Sequence, residues 1–125
     1  MNGTAGTRTI LVLEDNGDVR ALYSELLRSE GYRVLEASNG SVGMGLLLND
    51  AAVGDVILTD LRMPLMDGLE FAETLKANER LSAIPIVLLS ATPMANSWYA
   101  RKYFSALLIK PCPLNLLLST IEALL

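Results

Sequence analysis

The sequence predicts an α/β fold, an open parallel sheet covered by helices on both faces, and two observations carry that prediction. Short apolar runs rich in Ile, Val and Leu recur along the chain, and longer amphipathic stretches separate them. Runs of that length flanked by breakers suit strands buried on both faces. Strands alternating with helices join through right-handed crossovers into a layered sheet.

The elements follow in order. Thr9–Leu13 reads as the first strand. Asp18–Glu30 reads as a helix with Val19, Leu22, Leu26 and Leu27 on one face, ending before Gly31. Arg33–Ala37 is a weaker strand after that turn. Asn39–Asn49 is a poor helix, because Gly40, Gly43 and Gly45 each cost about 1 kcal/mol relative to Ala. Val56–Thr59 is the third strand. Leu69–Ala77 is a helix that starts after Asp67-Gly68 and buries Leu69, Ala72 and Leu75. Ile84–Leu89 is the fourth strand, Pro93–Tyr103 the least regular helix and Ala106–Ile109 the fifth strand. Pro113 suits the first turn of a last helix, whose apolar face is Leu114, Leu117, Leu118, Ile121 and Leu125. The 125 residues fit one domain, with residues 1–7 expected as a disordered tail.

Composition removes several function classes. Hydrophobic residues make up 51% and charged residues 19%, which excludes global disorder. No apolar run approaches the roughly 18 residues of a membrane span, and the first residues lack the apolar stretch of a signal peptide. A cytoplasmic location with no membrane partner is expected. The single Cys112 forms no internal disulfide, in keeping with a reducing compartment. The net charge of −4 argues against direct nucleic-acid binding. Residues 93–125 carry only Arg101, Lys102, Lys110 and Glu122, a local sum of +2, so residues 1–92 hold −6. The chain has no histidine, so any phosphohistidine chemistry must come from another molecule.

Open parallel sheets bind ligands beyond the carboxyl ends of their strands, where strand order reverses. The first strand runs into Glu14-Asp15, the third ends at Asp60, the fourth at Ser90-Ala91 and the fifth at Lys110-Pro111. The second, ending near Ala37-Ser38, brings nothing ionic to that rim. Singly, these residues are ordinary caps, turn residues and loop cations. Jointly they supply three carboxylates, a hydroxyl and an ammonium, the groups that phosphoryl transfer to a carboxylate needs. Crowded carboxylates repel one another and require a cation. Mg²⁺ suits hard oxygens and keeps several waters, so one or two carboxylates and phosphate oxygens suffice. The transfer depends chiefly on positioning and on neutralising the equatorial oxygens. Lys110 and the Ser90 hydroxyl can contribute there, and small Ala91 leaves room for a donor.

On these residues the sequence resembles the receiver domain of two-component response regulators. The matching segments are Ile10-Leu11-Val12-Leu13-Glu14-Asp15, Asp60-Leu61-Arg62-Met63-Pro64-Leu65-Met66-Asp67-Gly68, Leu88-Leu89-Ser90-Ala91 and Lys110-Pro111. The resemblance runs from about Arg8 to the chain's end. It implies a flavodoxin-like sheet of order 2-1-3-4-5 with five helices, and a phosphorelay role. Asp60 would accept a phosphoryl group from a histidine kinase or a histidine phosphotransfer protein. Asp15, Asp60 and the backbone carbonyl of Arg62 would bind Mg²⁺, with Glu14 acting largely through water. Ser90 would bond the phosphoryl group and move toward it on activation. Lys110 would pair with the phosphate, and the Lys110–Pro111 bond would be cis. The Arg62 and Thr92 side chains would flank the attacking water and tune the lifetime of the phosphorylated state. The 91–125 face would dock a target protein or a second copy.

The sequence also departs from the family. Glu14 replaces the commoner Asp. Leu107 stands where most members carry the Tyr or Phe that swings inward on activation, and a leucine cannot reproduce that ring movement. Tyr103 stands where a Gly usually ends the fourth helix, so that helix is expected to end differently. Trp98, Tyr99, Tyr103 and Phe104 crowd into seven residues, either as core filling or as an interface. Three other readings compete. An unphosphorylated pseudo-receiver would have lost Asp60, Lys110 or the acidic pair, and none is lost. A small aspartyl-phosphate phosphatase would need a second Asp where Arg62 stands, so no separate turnover substrate is expected. A flavin carrier would need a hydroxyl- and glycine-rich loop after the first strand, which is absent.

Overall fold

Five parallel strands form one sheet in the order β2-β1-β3-β4-β5: β1 (Thr9–Leu13), β2 (Arg33–Ala37), β3 (Val56–Thr59), β4 (Ile86–Ser90) and β5 (Ala106–Ile109). The helices between and after them are α1 (Gly17–Ser29), α2 (Gly40–Asn49), α3 (Gly68–Ala77), α4 (Trp98–Tyr103) and α5 (Leu114–Leu124). This computed structural model describes residues 7–49, 54–91 and 98–125, with the backbone alone at 98 and 99. The expected N-terminal tail, apart from Thr7, and Thr92 lie outside the described residues.

Every residue of β1, β3 and β4 is buried, which explains why these runs lack polar alternation. Their side chains alternate between two cores. Leu11, Leu13, Ile57, Ile86 and Leu88 face one side, with Met44, Leu47, Phe71, Ala72 and Leu75 from α2 and α3. Ile10, Val12, Val56, Leu58, Val87 and Leu89 face the other, against Leu27 of α1 and Leu117 and Ile121 of α5. The strand edges differ: β5 is only half-buried and ends at exposed Ile109, so it is not a doubly covered strand.

The glycines that made α2 look poor are what let it pack. A Cβ on Gly43 would stand 2.8 Å from Leu13 Cδ2, and one on Gly40 would stand 2.9 Å from the Met66 carbonyl oxygen. Gly45 meets nothing within 4 Å and is free of this constraint. The lost helix propensity is offset by close approach of the helix to the sheet.

Several boundaries are corrected. Strand β4 begins at Ile86 rather than Ile84, because Ile84 closes a turn by donating its N–H to the Leu81 carbonyl (3.1 Å) and Pro85 has no N–H. Pro113 precedes α5 as its N-cap, since its ψ of 137° is not helical. Helix α1 starts at Gly17 because Asn16 caps it, accepting from the N–H groups of Asp18 and Val19 at 3.0 Å each. On α1 the inward positions are Tyr23, Ser24, Leu26 and Leu27, while Leu22 is 50% exposed. Leu114 is likewise exposed, so the buried stripe of α5 starts at Leu117. The part of the expected fourth helix before Trp98 lies outside the described residues, apart from which α4 is as expected.

Candidate functional site

Strand order reverses between β1 and β3, and the backbone ladder delivers both strand ends to that point. The Glu14 N–H donates to the Ala37 carbonyl at 3.1 Å, and the Asp60 N–H donates to the Leu13 carbonyl at 3.0 Å. The loop after Asp60 is folded tightly beneath it. Gly68 donates its N–H to the Leu61 carbonyl at 2.8 Å, and a Cβ there would collide with the Asp60 carbonyl oxygen. Asp67 caps α3 in a reciprocal pair with Glu70. The Asp67-Gly68 pair thus starts a helix and clears space under Asp60 at once.

Carboxylate oxygens of Glu14, Asp15 and Asp60 all lie within 4.8 Å of one another. Glu14 is buried, Asp15 exposed and Asp60 half-buried, so the cluster opens to solvent at Asp15. Lys110 reaches in from the end of β5, with Nζ 3.1 Å from Glu14 Oε1 and 3.4 Å from Asp60 Oδ2. Glu14 Oε2 accepts the Asn16 N–H at 3.0 Å, and Asp60 Oδ1 accepts the Leu61 N–H at 2.8 Å. Burial pushes the Glu14 carboxyl above its ordinary value, against the pull of the Asn16 and Lys110 hydrogen bonds, and a hydrogen bond with the Asp15 side chain and the Asp60 charge push the same way as burial. Burial works against the Lys110 ammonium, but its bond to Glu14 and the Asp60 charge outweigh that and hold its pKa high. Three hard-oxygen donors in excess of one ammonium form a donor set that fits a divalent cation such as Mg²⁺.

The remaining expected residues surround this cluster. Ser90 is buried at the end of β4, and its carbonyl accepts the Lys110 N–H at 2.9 Å, which ties the two strand ends together. Ala91 is exposed beside Lys110, on a groove of about 480 Å³ that Val19, Leu22, Tyr23 and Leu114 also line. Arg62 is exposed two residues past Asp60. The Lys110–Pro111 peptide is cis. Leu107 is half-buried on β5 and lines a second cleft, of about 420 Å³, with Phe104.

The aromatic cluster divides. Phe104 is in the core and Tyr103 is packed against it. Helix α4 ends without a left-handed residue: Phe104 donates its N–H to the Ala100 carbonyl (2.9 Å), and Ser105 donates directly to the Ile86 carbonyl of β4 (2.8 Å). Among the described residues the one non-glycine positive φ is at Leu65. Sequence reasoning missed Asn16, Arg20 and Glu36. The cap at Asn16 was legible as a polar residue before an apolar stripe. The other two carried no motif.

Comparison with known proteins agrees with this geometry. A family model described as "Response regulator receiver domain" matches residues 10–122. The chain is 30% identical over 118 residues to Protein PilH of Pseudomonas aeruginosa, covering 93% of this chain and 96% of that protein. It is 32% identical over 82 residues to the sensor histidine kinase CheAY of Helicobacter pylori, covering 66% of this chain but only 10% of that protein. Among solved structures, response regulator protein TrrA from Thermotoga maritima, in complex with Mg²⁺-BeF, superposes with a TM-score of 0.84 at 26% identity. That match covers 95% of this chain and 100% of TrrA.

Proposed function

The chain belongs to the response regulator receiver family, and we propose that Asp60 is the residue of this phosphorylatable receiver that takes the phosphoryl group. The observation that carries the assignment is the meeting of Asp60 with Glu14, Asp15 and Lys110 at the β1/β3 reversal. The donor is a phosphohistidine on a histidine kinase or a histidine phosphotransfer protein, since this chain has no histidine of its own. An Asp60 carboxylate oxygen forms the new O–P bond as the P–N bond to the donor imidazole breaks, and the imidazole keeps the electron pair and takes a proton. Glu14, Asp15, Asp60 and the Arg62 carbonyl would hold Mg²⁺, which when bound neutralises carboxylate and phosphoryl oxygens. Lys110 exchanges part of its contact with Asp60 for the phosphoryl group, and the Ser90 hydroxyl donates to it. The family consists mainly of signalling modules, and this chain acts as one in the cytoplasm, with no separate turnover substrate. Among the described residues no helix is long and apolar enough to cross a membrane.

Intact-mass measurement with acetyl phosphate tests this reading. One phosphoryl adduct is expected with Mg²⁺ and none with EDTA. Full modification of Asp60→Asn would refute the assignment.

A further inference from the structure

We propose that Arg20 is a positioning residue for the acidic site, fixing the Glu14–Asp15 peptide so that the Asp15 carboxylate converges with those of Glu14 and Asp60. The proposal deepens, and rests on, the reading of this cluster as a Mg²⁺ site. Strand β1 leaves the sheet at Glu14, and the Glu14 carbonyl takes a bond from the Arg20 guanidinium, Nη1 standing 2.7 Å from it. That carbonyl belongs to the peptide plane that also carries the Asp15 nitrogen. Asp15 is exposed, so packing does little to aim its side chain, and the orientation of its backbone decides where its carboxylate starts from. Ligand groups must be held within about 0.5 Å of their working positions by packing and supporting hydrogen bonds, and where a side chain is exposed a fixed backbone limits where it can start from.

The guanidinium is itself held. Arg20 Nε lies 3.4 Å from Glu36 Oε1 on β2, and Arg28 Nη2 lies 3.2 Å from Glu36 Oε2. One nitrogen of Arg20 therefore reads a carbonyl while another reads a carboxylate, a fork that lysine cannot reproduce. Sheet register places Glu36 opposite Val12, two residues before Glu14, which puts the anchor behind the site rather than in it. Arg28 supplies an internal control. It engages the same Glu36, but its other contact is the Val34 carbonyl at 3.3 Å, away from the cluster. Partners that orient metal ligands from behind change affinity on removal even though they never touch the ion.

Isothermal titration of the full chain with Mg²⁺ tests the proposal, with the melting temperature in EDTA as a parallel readout. Arg20→Met is expected to raise the Kd about tenfold, within the range for groups that orient metal ligands. Arg20→Lys should recover part of that loss, and Glu36→Gln should raise Kd about threefold. Arg28→Met removes the same charge and loosens the same carboxylate, yet its Kd should stay within about twofold of the wild type even where its melting temperature falls. An Arg20→Met Kd within about twofold of the wild type overturns the proposal, because the contact would then be structural only. An equal rise in Arg28→Met overturns it too, by showing a general effect of charge. Should Arg20→Met lose its circular-dichroism signature, Arg20→Lys and Glu36→Gln decide: unchanged Kd in both overturns the proposal. A wild-type chain that shows no Mg²⁺ binding removes the metal reading and the proposal together, and the wild-type titration identifies that case separately.

Discussion

Replacing Asp15 by Asn should stabilise the metal-free protein and destabilise it relative to the wild type once Mg²⁺ is added. Lys110 touches Glu14 and Asp60 directly, so it offsets those two charges in preference to that of Asp15. Charges 4.8 Å apart, the outer limit of this cluster, repel by about 3.5 kcal/mol at an effective dielectric of 20. Asp15 is exposed, and water and salt reduce such terms to about 1 kcal/mol or less per pair. Summed over its two neighbours, Asp15→Asn should gain about 1 kcal/mol in EDTA, equivalent to about 3–5 °C in a domain of this size. On the proposed Mg²⁺ site, the ion at a hundredfold excess over Kd should stabilise the wild type by about 2.7 kcal/mol, and the variant would lack one of its proposed ligands. The stability order should therefore invert between the two conditions. Urea unfolding in EDTA and in Mg²⁺, repeated at high salt to shrink the EDTA gain, measures all of this. A variant less stable than wild type in EDTA, or equal Mg²⁺ stabilisation of both, would show that the three carboxylates do not act as one site.

Other outcomes follow from single features. Gly45→Ala should stabilise by about 1 kcal/mol, whereas Gly43→Ala should destabilise because its Cβ would press on Leu13 and Phe71; urea midpoints compare the two. Leu65 is 85% exposed at a φ of 69°, with Met66 donating to the Pro64 carbonyl across it at 2.8 Å, so Leu65→Gly should raise the melting temperature by relieving about 1 kcal/mol of backbone strain. The Glu14 carboxyl is raised by burial, so its contribution to stability is complete below the ordinary carboxylate range and is lost as pH rises through its folded value. In EDTA the wild type should lose stability over that window, and Glu14→Gln should not. Arg62→Gly should change the rate of phosphate release from the phosphorylated chain; an unchanged rate would remove the side chain from control of lifetime.

Much of the fold was legible because burial on both faces leaves a plain mark. Ile10 to Leu13 and Val56 to Leu58 could be nothing but apolar once two cores press on one strand. The errors fell where one face is open. Leu22 and Leu114 satisfied a helical period yet rim the groove beside Lys110, because a groove next to a site needs apolar walls that are not core. The glycines of α2 misled in the opposite direction. Propensity counted them as a cost, and only the distance to Leu13 shows that a larger residue at Gly43 would hold the helix off the sheet.

The site divides along the same line. The residues proposed for the chemistry stand at strand ends, so Glu14, Asp15, Asp60, Ser90 and Lys110 could be found by listing what each strand runs into. Arg20 and Glu36 could not, because a guanidinium that binds a backbone carbonyl selects for no residue type at the other end of the bond. Nothing in the letters of Glu14 announces that its carbonyl is held at 2.7 Å. Direct ligands are constrained by charge and appear as motifs, whereas the groups that aim them are constrained by geometry and appear only in three dimensions. An acidic pair transplanted without its arginine would keep the motif and lose the aim, which is why the Mg²⁺ affinity of Arg20→Met separates the two kinds of residue.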